Sequence, residues 1–315
     1  MKVFAPGKLV LTGAYAVLSG APAIVVATSR GAFADGSRTT PTPTPEVRVA
    51  LGDVACPHVD ASALFLGARK LGLGASAAIL VASLAAREAA RGAILSDPPV
   101  RQRLFERARA AHATSQAGGS GVDIAASVYG GVLEYVPGVP KPRALPDGTV
   151  MVVFACGTSA RTAELRGYVD RLADSAPSVH DACIGELSAI ARDAAQAIQH
   201  GELDPFIHAI RRASRALARL GAAAGAPIVP EGFELLEETA AAERACFCVS
   251  GAGGGDVATY IGSARPSAAF VERALALGLF EIDVELDEKG VRAVLQPADV
   301  LVTSRQAATD GMTST

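Results

Sequence analysis

The run LGLGASAA at residues 71–78 leads straight into an alanine-rich apolar segment that continues to Ala90. No other stretch constrains the fold as much. Glycine admits tight turns and close approach of the backbone to a ligand, and alanine and leucine favour helix. The first N–H groups of a helix lack internal partners and lie at the positive end of its dipole. A glycine loop that opens a helix is therefore an anion site, and it fits a layered arrangement of helices on a sheet. In a chain with 32 glycines such a loop also arises as a plain structural turn. The spacing Gly72, Gly74, Ala77 fits a variant dinucleotide fingerprint as well. Against that reading, LFL at 64–66 is cut off by GARK at 67–70. No clean buried strand leads in, and no acidic residue ends a second strand about 20 positions on.

The chain has 315 residues, half of them hydrophobic, enough for one large domain or two of ordinary size. Tryptophan is absent and aromatics make up 5%, so the core is expected to be built from Ala, Val, Leu and Ile. With 29 basic and 32 acidic residues the net charge is −3, and no basic stripe with interleaved aromatics appears. Nucleic acid and anionic membrane are not expected partners. Five scattered cysteines without CxxC spacing argue against a disulfide framework or a zinc site. Cys246 and Cys248 would share one face of a strand as buried thiols, and a reducing cytoplasm is the expected setting. The start, MKVFAPGK, breaks at Pro6 and Gly7 and leaves no room for the apolar core of a signal peptide. No uninterrupted apolar run reaches the ~18 residues that span a membrane.

In chain order, residues 3–5 and 8–11 read as short strands split by Pro6 and Gly7, and 14–18 and 23–28 continue the β pattern around a turn at Ser19 and Gly20. GSRTTPTPTP at 36–45 reads as a polar loop, because residues before proline avoid helix, and 46–51 as a strand. Helices follow over 77–92, 100–114 and from Val122 to Gly130, then strands at 132–136 and 150–155 around a proline-rich turn region at 137–147. The character changes at 162: three helices to about 221 broken near 175–177 and Gly201, a fourth at 231–242, then a strand at 245–249. SGAGGGD at 250–256 precedes a strand at 258–261, a helix at 267–277 and strands at 281–286 and 290–294. The polar residues 303–315 read as a disordered tail. A sheet-rich first half and a helix-rich second half ending in β-α-β predict an α+β class of two domains joined near 145–160.

Taken together, PGKL at 6–9, GAYAVL at 13–18, the 71–78 loop, GSGVD at 119–123 and SGAGGGD at 250–256 resemble the GHMP small-molecule kinases. That family is named for galactokinase, homoserine kinase, mevalonate kinase and phosphomevalonate kinase. The resemblance covers residues 1 to about 295. It implies a ribosomal-protein-S5-like α/β domain over 1–155 and a ferredoxin-like α+β domain over 156–302. Ala111, His112, Gln116, GSGVDIAA at 119–126 and VYGG at 128–131 resemble the branch that phosphorylates 5-phosphomevalonate, as do GTSART at 157–162 and GAPIVP at 225–230. The implied reaction is ATP- and Mg²⁺-dependent formation of 5-diphosphomevalonate in isoprenoid biosynthesis. Mevalonate or another small acceptor, and a catalytically impaired member, stay open. Two departures bear on this, at Ala14 and Ala75, and His112 separates the chain from mevalonate kinases. Ala14 stands where the first motif usually has Glu, and Ala75 where the loop usually has its first serine. His112 stands where mevalonate kinases carry a magnesium-binding Glu.

The resemblance also implies roles. Gly72, Leu73, Gly74, Ala75, Ser76 and Ala77 would wrap the ATP phosphates, with Ser76 supplying its hydroxyl to Mg²⁺ or the β-phosphate; a helix cap is the plainer role for Ser76. Lys8 and Asp123 would be catalytic, one lowering the charge on the acceptor oxygen and the γ-phosphate, the other taking or orienting its proton. Either is also what a strand end and a helix start would carry for structure alone. Ser159, Arg161 and Thr162 would hold the substrate's phosphate or carboxylate, for which arginine offers two parallel hydrogen bonds. Ser120, Gly121, Gly253 and Gly254 would line the substrate, and His112 would touch it or pack under the loop. Asp256 reads as a helix cap or, second, as a substrate contact. The expected partner is a small phosphorylated substrate, met by a monomer or homodimer.

Overall fold

Strand β1 (Lys2–Thr12) runs unbroken through Pro6 and Gly7 and pairs antiparallel with the long β2 (Ala23–Thr40). A computed structural model of the chain describes residues 1–52, 54–115, 119–157 and 162–294. The expected break at Pro6 is instead a shift of register between Pro6 and Gly7, where proline has no N–H to give the ladder. The expected β pattern at 14–18 is a 3₁₀ turn at Ala16–Ser19. Half of the proline-rich loop extends β2 to Thr40, and the strand expected at 46–51 is helix α1 (Pro45–Leu51). There Pro45 sits in the first turn and the Thr44 side chain accepts a hydrogen bond from the Val47 N–H. A cap and a pre-set φ outweigh the alternating valines.

Strand β3 (Cys56–Asp60) adds to β2, and the hairpin β4 (Phe65–Leu66) and β5 (Arg69–Lys70) leads into the glycine loop. Helices α2 (Ala75–Ala90), α3 (Pro98–Ser115) and α4 (Val122–Tyr129) follow, then β6 (Val132–Val136) and β7 (Val139–Arg143). The proline-rich turn region thus contains a strand. It lies at the end of the sheet, where Pro140 and Pro142 leave no central ladder unmade. The second half holds β8 (Val150–Ala155), α5 (Thr162–Ser175), α6 (Pro177–His200), α7 (Leu203–Ala224) and α8 (Phe233–Ala242). It ends with β9 (Cys246–Val249), β10 (Val257–Gly262), α9 (Ala268–Ala276), β11 (Phe280–Ile282) and β12 (Arg292–Val294).

The first sheet has the order β12-β1-β2-β6-β7 with β3 also on β2, and the second β11-β8-β10-β9. This redraws the boundary expected at 155/156. Strand β8 pairs with β10 and β11, so it belongs to the second sheet, while β12 returns to pair with β1 in the first. Local periodicity says nothing of which sheet a strand joins.

The alanines of α2 let that helix sit close on β1 and β2, with Leu80, Val81 and Leu84 fully buried. The second layer departs from the expected aliphatic core. Phe154, Phe233, Phe247, Tyr260 and Phe270 pack as one aromatic cluster with centroids 5.0–6.1 Å apart. Cys56, Cys156, Cys246 and Cys248 are buried free thiols, as expected for the strand pair, and burial pushes the Cys156 and Cys248 thiols up to about 12. Among the described residues no helix is long and apolar enough to cross a membrane.

Candidate active site

Lys8 is the point on which three loops converge. Its backbone N–H donates to the carbonyl of Leu73 at 2.9 Å, and its ammonium donates to the carbonyl of Gly72 at 2.9 Å. This close docking explains the residue before it: a Cβ on Gly7 would lie 2.5 Å from the Leu73 carbonyl oxygen. In the loop itself Gly72 and Gly74 have φ of 71° and 77°, and added Cβ atoms would meet Asp256 at 2.4 Å and the Lys8 side chain at 2.9 Å. Both the backbone conformation and the space require glycine. Gly74 ends the loop as the N-cap of α2, and no side chain caps the helix. Ser76 sits in the first turn, its hydroxyl donating to the carboxylate of Glu46.

The second loop brings Asp123. Gly121, with φ 78°, is the N-cap of α4 and has Arg109 and Tyr135 against it. The Tyr135 hydroxyl donates to the Ser120 carbonyl at 2.5 Å, and the Ser120 hydroxyl accepts from the Val122 N–H at 3.3 Å. Ser120 and Gly121 thus hold the turn that presents Asp123. Helix α4 is tied to β1 by the buried Ser127 hydroxyl, which donates to the Pro6 carbonyl at 2.7 Å. That bond fixes the distance between the strand of Lys8 and the helix of Asp123. His112 is 6% exposed, under the loop, with Nε2 3.5 Å from Asp123 Oδ2.

The third loop joins β9 to β10, so it is a strand-to-strand connection, and Asp256 is not a helix cap. Asp256 lies over Gly72 and beside Lys8. Gly251 N–H donates to the Val10 carbonyl at 3.3 Å, Val10 N–H donates to the Ser250 hydroxyl at 3.0 Å, and the Tyr15 hydroxyl donates to the Ala252 carbonyl at 2.8 Å. Gly253 and Gly254, expected to line the substrate, are buried against Ile228. The Gly254 N–H donates to its carbonyl at 2.8 Å, and a Cβ on Gly253 would lie 2.1 Å from the same oxygen. Gly251 and Ala252 form the half-exposed side of this loop, and a Cβ on Gly251 would lie 3.7 Å from the Lys8 ammonium.

Burial pulls the Lys8 ammonium below the ordinary lysine range, and the charges of Asp123 and Asp256 pull it back up. The arrangement is a cationic centre between two carboxylates, beside the amino end of a helix. Chemically it can bind an anion and stabilise charge on an oxygen.

The same architecture occurs in solved structures. A Listeria innocua protein superposes with a TM-score of 0.80 at 20% identity, over 94% of this chain and 99% of that one. Streptococcus pneumoniae phosphomevalonate kinase, solved with phosphomevalonate and AMPPNP, superposes with a TM-score of 0.73 at 17% identity, over 91% and 99%. A mevalonate kinase, a homoserine kinase and a galactokinase share the architecture at TM-scores of 0.66, 0.60 and 0.60. The chain has the GHMP kinase fold. By sequence it is 32% identical to a Streptomyces phosphomevalonate kinase over 213 residues, 60% of this chain and 56% of that protein. The match thus spans little more than half of that relative's length. It is 27% identical to an Aeropyrum pernix mevalonate kinase over 252 residues, 69% of this chain and 76% of that one. No family model matches the chain.

On this GHMP fold, Lys8, Asp123 and the 72–77 loop lie together. Thr162 is the exposed first residue of α5, while Gln116, Ser159 and Arg161 lie outside the described residues. Sequence reasoning missed Glu46, Tyr15 and the approach of Asp256 to Lys8. The only sequence signal for Tyr15 was its place in the motif GAYAVL at 13–18; the structure adds its φ of 62°, costly for a non-glycine residue. Glu46 carried none, since 30 residues separate it from Ser76.

Proposed function

We propose that the protein transfers the terminal phosphoryl group of ATP to 5-phosphomevalonate, giving 5-diphosphomevalonate and ADP with Mg²⁺ as cofactor. The observation that carries this reading is the convergence of three glycine-bearing loops on one buried-side ammonium, Lys8, with Asp123 on the neighbouring helix end. Phosphoryl transfer asks a protein for positioning and for neutralisation of charge. The residues fit the groups: Gly72 and Gly74 let Asp256 and the Lys8 side chain close directly on the loop, and the first-turn N–H groups of α2 would hold phosphate oxygens. Serine hydroxyl and carboxylate are the hard oxygen donors that magnesium takes, and Ser76 would hold it. Bound Mg²⁺ supplies neutralisation of the phosphate charge.

The chain's own residues supply the rest. Lys8 lowers the charge on the attacking oxygen and Asp123 orients it. A phosphate acceptor is largely ionised near neutral pH, so little proton abstraction is needed and Lys8 weighs at least as much as Asp123. Thr162, with Ser159 and Arg161, would meet the acceptor's anionic groups. The Streptomyces relative supports the acceptor. Mevalonate is the second reading, favoured by the longer match to the Aeropyrum protein.

Coupled ADP release over a panel of acceptors tests both. We expect 5-phosphomevalonate to be turned over faster than mevalonate, homoserine or galactose. Faster turnover of mevalonate replaces the acceptor, and no ADP release with any acceptor sinks the kinase reading in favour of an impaired member.

A further inference from the structure

We infer that Glu46 is the carboxylate ligand of the divalent cation in this site, paired with Ser76. The inference rests on the kinase reading above and deepens it. Glu46 is 7% exposed, on the first turn of α1, which packs against α2 and α3. Its carboxylate accepts the hydroxyl of Ser76, in the first turn of the 16-residue helix that the glycine loop opens. Thr44 caps α1 and Pro45 starts it, so the backbone that carries Glu46 is fixed where it meets Ser76.

Among the described residues the carboxylates of Glu46, Asp123 and Asp256 lie about Lys8 and the glycine loop, and they divide by position. Asp123 and Asp256 both act on the Lys8 ammonium, and Asp123 also faces His112 at 3.5 Å. Glu46 stands on the Ser76 side. Among the described residues no group of three His, Cys, Asp or Glu could hold a metal by itself. Magnesium suits that economy: it is commonly held by one or two carboxylates and completes its shell with substrate phosphates and water. A nucleotide phosphate on the α2 amino end would lie beside the Glu46 carboxylate. The two fit together with a cation between them and repel without one.

The test is binding of Mn²⁺ to the full-length protein with ADP, followed by electron paramagnetic resonance, with nucleotide affinity measured in Mg²⁺ and in EDTA. In the wild type we expect ADP to bind at least about tenfold more weakly in EDTA, and Glu46→Gln to weaken Mn²⁺ on the protein·ADP complex about 10- to 100-fold. Glutamine keeps the volume and an oxygen for the Ser76 hydroxyl, and the metal-free thermal midpoint checks its fold. If the variant does not fold, the wild-type comparison decides alone: equal ADP affinity in Mg²⁺ and EDTA overturns the inference. Unchanged Mn²⁺ affinity in Glu46→Gln, with tighter ADP binding in EDTA, also overturns it and makes Glu46 a competitor of phosphate. Wild-type protein that binds no nucleotide under either condition removes the kinase reading and this inference with it.

Discussion

On the proposed kinase reading, Lys8 has to be charged in a place that disfavours charge. Burial lowers its pKa from the ordinary 10.5, and Asp123 and Asp256 oppose that shift. A step that needs the ammonium is present below the lowered value and lost as pH rises through it. Replacing Asp256 with Asn removes one charge that holds the proton on, so the alkaline limb of kcat/KM should move to lower pH. A limb that stays put, or moves up, contradicts the assignment. Lys8→Met should cut kcat about 10²- to 10³-fold, the loss typical of a single charge-stabilising donor. It should do so without lowering the thermal midpoint, because a buried ammonium is itself a cost. Near-normal turnover in that variant would remove Lys8 from the chemistry. Gly72 is the residue most completely dictated by its surroundings, with φ of 71° and Asp256 where a Cβ would stand.

At the scale of elements, α1 shows how a cap overrules a pattern. Residues 46–51 alternate as a strand would, yet Thr44 and Pro45 start a helix, and that helix brings Glu46 to Ser76. Thr44→Ala should cost about 1 kcal/mol of stability by the usual worth of such a cap. It should also weaken metal-dependent ADP binding, measured by calorimetry; full stability and full binding together would show that the cap does not position Glu46. Much at this scale was legible in advance. Helices α2 to α9 follow from apolar periodicity, alanine runs and glycine stops, and the two register-critical features, Pro6 and Gly7, stand in the sequence. The strands β7 and β11 were misjudged in kind or length. Their limits are set by which neighbour they pair with.

At the scale of the molecule, the two sheets are sewn together by chain that crosses back. After β11 the backbone of Asp287 bonds to Ala27 and Gly131 at 3.0 and 2.7 Å, and β12 then pairs with β1. The Asp287 carboxylate is 6% exposed and accepts from the N–H groups of Lys289 and Gly290 at 3.1 and 2.9 Å and from Arg292. Asp287→Ala strands those donors and should cost about 2–3 kcal/mol, read as a lower urea midpoint. A change under about 0.5 kcal/mol, the usual size for a surface substitution, would show that the return crossing is not held by this residue.

By itself the sequence determined what local chemistry determines: helices α2 to α9, the glycine turns that only glycine can make, and the glycine loop that opens α2. Tertiary structure alone decided which strands share a sheet, that Asp256 shields Gly72 and faces Lys8, and that Glu46 meets Ser76. The reason is physical. Propensity, capping and periodicity act over a few neighbouring residues, whereas a site made of loops from 8, 46, 72, 123 and 256 exists only once burial and long-range hydrogen bonds have brought them together.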